Sequence, residues 1–209
     1  MEKKSLFVVI EGLDGSGKST VAGHLGKALA KEDIEVRMTF EPNDDSCGGE
    51  WIRDVLKKKI APFSPKTLAL AFAANRLDHC DRKIDPWLNT DNNRILISDR
   101  YYLSSLVYQQ AENISIEDIM SLNSDARKPD ITFFLNVSNE VCLQRIELRN
   151  QPLELFETNM AETRKTYKKA IRFLKKTRKE NIIEVDANGT IEEIVSTMLG
   201  HISNHLAKN

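Results

Sequence analysis

The stretch EGLDGSGKST, residues 11–20, lies between the apolar run LFVVI at residues 6–10 and a segment whose apolar residues have helical spacing. It matches the pattern G-x-x-x-x-G-K-[ST] at Gly12, Gly17, Lys18 and Ser19. In such a loop the glycines allow backbone N–H groups to point inward at an anion, and the following helix adds the positive end of its dipole. Lys18 can reach terminal phosphates, and the Ser19 hydroxyl can ligate Mg²⁺. A glycine turn without a ligand is the alternative, but the strand–loop–helix context favours a nucleoside triphosphate site.

A second group of residues follows the predicted strand RILISD at residues 94–99. Asp99 at its end occupies the position of the carboxylate that orients Mg²⁺ and its water in P-loop folds. It could instead, or in addition, cap the helix that is predicted to start near Tyr102. Arg100 would offer a cation to a second phosphate at the same strand end, with a surface ion pair as the alternative. A phosphate-transfer site is therefore expected where these two strands end.

Short β-rich runs alternate with longer amphipathic runs along the whole chain. Strands are predicted at residues 5–10, 34–40, 94–99, 131–137 and 181–186. Helices are predicted at residues 18–31, 48–60, 66–90, 102–111, 115–124, 139–149, 155–180 and 190–207. This alternation predicts an α/β protein with the three-layer P-loop NTPase fold, in which helices cover both faces of a five-stranded parallel sheet. We expect one domain over residues 1–209, with ligands at the carboxyl ends of the strands.

Composition excludes several classes of partner. The 209 residues include 30 Lys and Arg against 31 Asp and Glu, for a net charge of −1, so no global field favours nucleic acid or an acidic membrane. The basic stretch at residues 168–180 is typical of the solvated face of an amphipathic helix. Three widely spaced cysteines predict free thiols in a reducing compartment. With no signal peptide or membrane span in the pattern, the cytoplasm is the expected location.

Several ordered blocks give the chain a resemblance to a known family. These blocks are the loop above, the dipeptide Glu41-Pro42, LAFAANRLDH at 70–79, SDRYYLSSLVYQ at 98–109 and RKPDITFFLNV at 127–137. From residue 6 to about residue 190 the chain resembles the thymidylate kinases. The resemblance implies a nucleoside monophosphate kinase fold with a lid over ATP, and transfer of the γ-phosphoryl group of ATP to dTMP with Mg²⁺. It also implies a homodimer.

The resemblance assigns a set of residues to the acceptor nucleotide. Asp14 would approach the 3′-hydroxyl, Phe72 would stack on thymine, and Arg76, one helical turn later, would read the base edge. Core packing is the alternative role for Phe72. Tyr108 would lie beneath the sugar, where its ring would clash with a ribose 2′-hydroxyl. The remaining acceptor residues by resemblance are Glu41, the phosphate-binding Arg53 and Arg100, and Ser105 and Gln109 near the base, which could equally be solvated helix residues.

On the ATP side, the resemblance assigns Gly12, Leu13, Asp14, Gly15, Ser16, Gly17, Lys18, Ser19, Thr20 and Arg145. Because Gly15 and Ser16 leave no arginine in the loop, the catalytic cation is expected from a short lid at about residues 145–160. Arg145 and Arg149 lie on one helix face, so we expect Arg149 to meet transition-state charge and Arg145 to bind ATP. Arg164 is the alternative source of the cation.

Two features depart from the family's pattern. No Lys or Arg lies between Arg149 and Arg164, so the lid is sparse in basic residues. Phe40 stands where the common TREPGGT form has an arginine.

Another deoxynucleoside monophosphate kinase is one alternative, and three functions of other classes remain to be compared. A signalling GTPase needs an N-K-x-D motif after a strand, and the nearest string, NRLD at 75–78, lies in a predicted helix. A deoxynucleoside kinase needs a carboxylate base near the end of the second strand, a role that Glu41 could take. A non-catalytic nucleotide-binding module is the third alternative.

Overall fold

The computed structural model describes residues 5–32, 34–89, 93–148 and 159–208. Its sheet is parallel and five-stranded, in the order β2-β3-β1-β4-β5. The strands are β1 (Leu6–Gly12), β2 (Glu35–Phe40), β3 (Arg94–Asp99), β4 (Ile131–Asn136) and β5 (Ile182–Asp186). The predicted five-stranded parallel sheet is confirmed. Every residue of the central strand β1 is buried, as its unbroken apolar run indicates.

Helices surround this sheet, with α1 packed on α9 and α5 packed on α8. In the described ranges they are α1 (Lys18–Ala30), α2 (Gly49–Leu56), α3 (Pro65–His79), α4 (Asp85–Leu88), α5 (Tyr102–Tyr108), α6 (Ile116–Leu122), α7 (Asn139–Leu148), α8 (Met160–Thr177) and α9 (Ile191–Lys208). None of them is both long and apolar enough to cross a bilayer. The predicted lid falls mostly on residues 149–158, which lie outside the described residues.

Two predicted helices end differently in the structure. The segment predicted at 48–60 ends at Leu56, and Lys58 then takes a φ of 56°. The segment predicted at 66–90 is divided by a π-helical turn, Cys80–Ile84, between α3 and α4. Pro86 follows that turn in the first turn of α4, and because proline has no N–H to donate, the regular α-helical ladder cannot continue through it.

The core has two parts, and the smaller one shapes the functional region. The main core surrounds the central strands. A separate cluster joins α2 to α3 and consists of Ile52, Val55, Leu56, Leu68 and Phe72. It fixes α2 and α3 relative to each other at the carboxyl edge of the sheet. At that edge, Asp99 at the end of β3 is in register with Ile10 of β1 and Phe40 of β2, so the segments that follow these three strands converge.

Candidate active site

The loop after β1 depends on glycine for its backbone conformation. Gly15 has a φ of +78°, and a Cβ on it would lie 2.3 Å from the backbone oxygen of Cys142 in α7. Gly17 has a φ of +86° and is the N-cap of α1, with no side-chain cap. The N–H groups of the first turn of α1 therefore have no side-chain acceptor at the cap. This arrangement is an anion-binding helix start.

Lys18 lies folded against this loop. Its Nζ donates a hydrogen bond to the backbone oxygen of Leu13 at 2.9 Å, and the side chain is buried. Burial lowers the pKa of Lys18, and the nearby Arg100 lowers it further, while Asp14 and Asp99 act in the opposite direction. A bound polyphosphate would supply the counter-charge that favours the ammonium form.

The structure brings together the two predicted magnesium ligands. The hydroxyl of Ser19 in α1 donates a hydrogen bond to Oδ2 of Asp99 at the end of β3. Tyr101 is the N-cap residue of α5, so Asp99 does not cap that helix. A hydroxyl and a carboxylate beside a phosphate loop fit Mg²⁺, which prefers oxygen ligands and usually takes the rest from phosphates and water.

Two adjoining depressions lie at this edge of the sheet. One, which we term the P-loop cleft, runs along the loop and α1 and includes Lys18, Ser19, Asp99 and Arg145. The other, the α3–α5 cavity, is lined by all of the predicted acceptor residues, namely Asp14, Glu41, Arg53, Phe72, Arg76, Arg100, Ser105, Tyr108 and Gln109. The two depressions share Asp14, Glu41, Arg53 and Arg100. Charged groups are thus concentrated where the two meet.

Arg100 is the most constrained of these shared residues. Its backbone has a φ of +69°, and its N–H donates to the oxygen of Ile10 at 2.9 Å. The guanidinium forms an ion pair with Asp14 and donates through Nη1 to Ser104 Oγ at 3.0 Å and Tyr167 Oη at 3.1 Å. Side chains from three separate segments therefore fix its direction.

Arg53 reaches the same junction from α2. It donates to Asp44 Oδ1 at 2.7 Å and to the backbone oxygen of Pro42 at 2.8 Å. Its guanidinium carbon lies 5.5 Å from the centroid of the Phe40 ring. Phe40, the residue that replaces the family's arginine, thus packs against a neighbouring arginine.

The inner end of the α3–α5 cavity is organised around Arg76. Its Nε donates to Glu41 Oε2 at 2.6 Å and its Nη1 to Asn123 Oδ1 at 2.5 Å. The second oxygen of Glu41 lies 3.2 Å from Nδ1 of His79. These two bonds use two of the five N–H donors of the guanidinium, and Arg76 lines the cavity, so further donors are available to a ligand there.

Two buried polar atoms in the same cavity lack a hydrogen-bond partner among the described residues. Ser105 Oγ and Gln109 Oε1 are buried without a hydrogen bond to any described residue. Both residues line the cavity, and because Ser105 is 2% and Gln109 3% exposed, neither is a solvated helix residue. A ligand that bonds to them would remove the free-energy cost of leaving them unsatisfied. Phe72 both belongs to the α2–α3 cluster and lines the cavity, so packing and ligand contact are compatible there.

Tyr108 lines the α3–α5 cavity beside Arg100. Its ring centroid is 5.4 Å from the guanidinium carbon of Arg100 and 5.9 Å from the ring of Tyr167, which it meets edge to face. Burial raises the pKa of Tyr108 to about 12, although Arg100 acts against the shift. The hydroxyl is therefore protonated at neutral pH.

The comparisons with known proteins agree with this geometry. A sequence model of the family described as thymidylate kinase matches residues 10–198. A probable thymidylate kinase of Thermococcus kodakarensis is 35% identical over 206 residues, covering 93% of this chain and 99% of its own. A thymidylate kinase of Leptospira interrogans is 32% identical over 201 residues, covering 94% of this chain and 93% of its own. The chain belongs to the thymidylate kinase family.

In this member of the thymidylate kinase family, the arginines near the predicted lid have separate surroundings. Arg145 of α7 donates through Nη1 to the backbone oxygens of Gly15 at 3.4 Å and Ser16 at 3.3 Å, beside the phosphate loop. Arg149 lies outside the described residues, so its role stays a prediction.

Arg164 of α8 is committed to structural contacts. It donates to Asn139 Oδ1 at 2.9 Å, to Asn136 Oδ1 at 2.6 Å and to the backbone oxygen of Val137. These bonds hold α8 to the connection between β4 and α7. The geometry therefore disfavours Arg164 as the catalytic cation.

Sequence reasoning missed Glu11, Tyr167 and Asn123. Glu11 is fully buried, and its Oε1 accepts hydrogen bonds from the backbone N–H groups of Tyr101 at 2.9 Å and Ser104 at 3.1 Å. Burial raises the pKa of Glu11, and Arg100 and the hydrogen bonds from α5 oppose that shift. A carboxylate directly after the apolar run at residues 6–10 was the available signal for Glu11. Tyr167 and Asn123 carry no local signal, because each resembles an ordinary helix residue.

Proposed function

We propose that this protein transfers the γ-phosphoryl group of ATP to dTMP, giving ADP and dTDP. The observation that supports this most strongly is the set of charged residues common to the P-loop cleft and the α3–α5 cavity. ATP lies in the cleft with its phosphates on the loop, and dTMP lies in the cavity with its phosphate towards Arg100 and Arg53. The two reacting phosphates then meet at the junction.

Phosphoryl transfer mainly requires alignment of the two nucleotides and positive charge on the transferred group. An oxygen of the dTMP phosphate bonds to the γ-phosphorus, and the bond to the β-phosphate oxygen of ADP breaks. Lys18 holds the donor phosphates, Arg100 and Arg53 hold the acceptor phosphate, and Arg149 supplies a further cation. Ser19 and Asp99 would hold Mg²⁺, which neutralises charge on the β- and γ-phosphates when bound.

The cavity also supports a choice of acceptor. Because the guanidinium of Arg76 can only donate, a base edge that presents a carbonyl oxygen is favoured there over one that presents an amino group. Phe72 offers a flat apolar surface to the base. Tyr108 lines the same cavity, and its ring beneath the sugar would favour a deoxyribose. Together these features favour dTMP.

A deoxynucleoside kinase is less well supported by the contacts of Glu41. Such an enzyme needs a carboxylate that can accept a proton from an uncharged 5′-hydroxyl. In this structure both oxygens of Glu41 face cationic or hydrogen-bonding partners, Arg76 on one side and His79 on the other. The GTPase alternative is also disfavoured, because Asn75 of NRLD lies within α3 and bonds to the backbone of Asn43.

The finer assignments are further parts of this proposal. We expect a homodimer, since the exposed Trp51 of α2 and Leu70 of α3 offer apolar surface to a second copy. We expect the protein to act in the cytoplasm. We expect it to bind no nucleic acid, because its positive and negative charges nearly balance. Light scattering on the purified protein measures the mass, and one protomer's mass at micromolar concentration would contradict the dimer.

Parallel assays of dTMP, thymidine, dUMP and dGMP with ATP and Mg²⁺ test the main proposal. The expected result is the highest kcat/KM for dTMP and no measurable reaction with thymidine. Faster reaction with thymidine than with dTMP would identify a deoxynucleoside kinase instead. Binding of ATP without transfer to any of the four would support the non-catalytic module.

A further inference from the structure

The phenol of Tyr167 occupies the centre of a buried hydrogen-bond cluster. Tyr167 belongs to α8 and is fully buried. Its hydroxyl lies 3.1 Å from Nη1 of Arg100, 3.2 Å from Oε2 of Glu11 and 3.2 Å from the backbone oxygen of Gly12. It is also 3.2 Å from Oγ of Ser104. One side chain thus links α8 to the phosphate loop and to the residue that follows β3.

The chemistry of these partners fixes the direction of the hydrogen bonds. A guanidinium can only donate, so the oxygen of Tyr167 accepts from Arg100. A phenol has a single proton, which Tyr167 can then give to the Glu11 carboxylate or the Gly12 carbonyl. Burial raises the pKa of Tyr167 well above its usual range, so the proton stays on the phenol at neutral pH. Tyr167 is therefore a neutral bridge between a cation and an anion.

The ring of Tyr167 makes a second, separate contact. Its edge-to-face neighbour at 5.9 Å is Tyr108, which lines the α3–α5 cavity. On another side it lies 5.0 Å from Phe134 of β4, within the main core. The ring is thus anchored in the core while it supports a cavity residue.

We propose that Tyr167 is a positioning residue for the acceptor nucleotide, whose hydroxyl aims Arg100 at the acceptor phosphate and whose ring supports Tyr108 beneath the sugar. This inference rests on the proposed function. Asp14 draws the guanidinium of Arg100 towards the phosphate loop through their ion pair. Tyr167 and Ser104 accept hydrogen bonds from Nη1 of the same guanidinium and so limit that movement. The hydroxyl and the ring serve different parts of the nucleotide, so they can be tested separately.

Tyr167→Phe removes only the hydroxyl. Calorimetric titration should show the Kd for dTMP rising about ten-fold, the expected size for losing a hydrogen bond to a charged group. The Kd for thymidine, which has no phosphate, should stay within about two-fold of wild type. In steady-state assays the KM for dTMP should rise while kcat and the KM for ATP change little. In an Arg100→Met background the same substitution should have no further effect on dTMP binding.

Tyr167→Leu removes the ring as well. It should additionally narrow the preference for dTMP over its ribose analogue, which Tyr167→Phe should leave unchanged. If the Leu variant does not fold, Tyr167→Met serves the same purpose.

Tyr102→Phe is the matched control. Tyr102 is an equally buried tyrosine whose hydroxyl donates to Glu180 at 2.7 Å, and it lines neither the P-loop cleft nor the α3–α5 cavity. It should lower the melting temperature without changing either Kd.

Several results would overturn the inference. A wild-type Kd for dTMP in Tyr167→Phe would remove the role of the hydroxyl. Equal weakening of dTMP and thymidine, or the same weakening in Tyr102→Phe, would show general loosening of the fold. If the wild-type protein bound no dTMP, the proposed function would fail and the inference with it, whereas normal dTMP transfer by an unaffected Tyr167→Phe would reject the inference alone.

Discussion

Asp14 of the phosphate loop and Arg100, which follows β3, form an ion pair at the border of the P-loop cleft and the α3–α5 cavity. Each therefore partly neutralises the other before any nucleotide is bound. An acceptor phosphate has to share Arg100 with Asp14, and the carboxylate then becomes available to a nearby hydroxyl. In the proposed reaction, the pair would couple the loop that holds the donor to the residue that holds the acceptor.

Replacement of Asp14 by alanine tests its expected contact with the acceptor 3′-hydroxyl. The wild-type protein should prefer dTMP to its 3′-deoxy analogue, since only dTMP can donate to the carboxylate. In Asp14→Ala this ratio of kcat/KM values should fall towards one. An unchanged ratio would mean that Asp14 acts only on Arg100.

Lys18→Ala should abolish transfer and leave the fold intact. The reason is that Lys18 meets charge that moves as the γ-phosphoryl group leaves. Circular dichroism should match the wild type, while kcat falls by far more than ten-fold, a loss above about 1.4 kcal/mol. Retention of more than about a tenth of the wild-type kcat would contradict the assignment.

Tyr108→Ala should relax the choice of sugar. If the ring lies under C2′, its removal eases a clash with the ribose hydroxyl and narrows the preference for dTMP over 5-methyluridine monophosphate. The ratio of kcat/KM values for the two acceptors measures this. The same ratio in wild type and variant would assign Tyr108 to packing alone.

Alanine substitutions of the three arginines near the predicted lid should change different quantities. Arg149→Ala should lower kcat by about 10³ with little change in the KM for dTMP, the sign of an interaction made in the transition state. Arg145→Ala should raise the KM for ATP, because its guanidinium lies on the phosphate loop. Arg164→Ala should instead lower the free energy of unfolding by about 1–3 kcal/mol, since it leaves three partly buried acceptors without their donor.

Steady-state kinetics and urea unfolding of the three variants decide between these roles. Collapse of kcat in Arg164→Ala, with Arg149→Ala near wild type, would reverse the assignment of the cation. If all three stayed near wild type, Lys18, Arg100 and Mg²⁺ alone would have to meet the charge of the transition state.

Glu11→Gln should destabilise the protein, because an amide cannot accept on both of the atoms that now receive hydrogen bonds from α5. The expected loss at pH 7 is about 1–3 kcal/mol in the free energy of unfolding. The raised pKa of Glu11 means that the folded state binds its proton more tightly than the unfolded state. That stabilising contribution is complete below pH 4.5 and is lost as pH rises through the raised pKa.

The deficit of Glu11→Gln relative to wild type should therefore grow as the pH falls from 7 towards 4.5. Chemical unfolding of both proteins at several pH values measures it. A deficit that shrinks with falling pH would contradict the direction of the shift.

The sequence by itself determined the local features of this protein. Strand β1, the loop at residues 11–20 and the start of α1 follow from patterns that act over a few residues. Apolar runs favour buried strands, and glycines at 15 and 17 permit backbone conformations that other residues adopt only with strain. The parallel direction of the strands followed from the alternation of strands and helices along the chain. The extra turn at Cys80–Ile84 was missed, because its apolar spacing continues that of a helix.

Only the tertiary structure decided which side chains meet. Tyr167 touches Glu11, which is 156 residues away, and Arg76 touches Asn123, which is 47 residues away. The contacts of Arg164 are also long-range. The sequence made it a candidate catalytic cation, but its N–H groups donate to the connection between β4 and α7. Such contacts leave no periodic trace, because they depend on how helices pack on the sheet rather than on local backbone preference. The sequence determined where the phosphate loop lies, and packing decided which groups contact the residues proposed to bind phosphate.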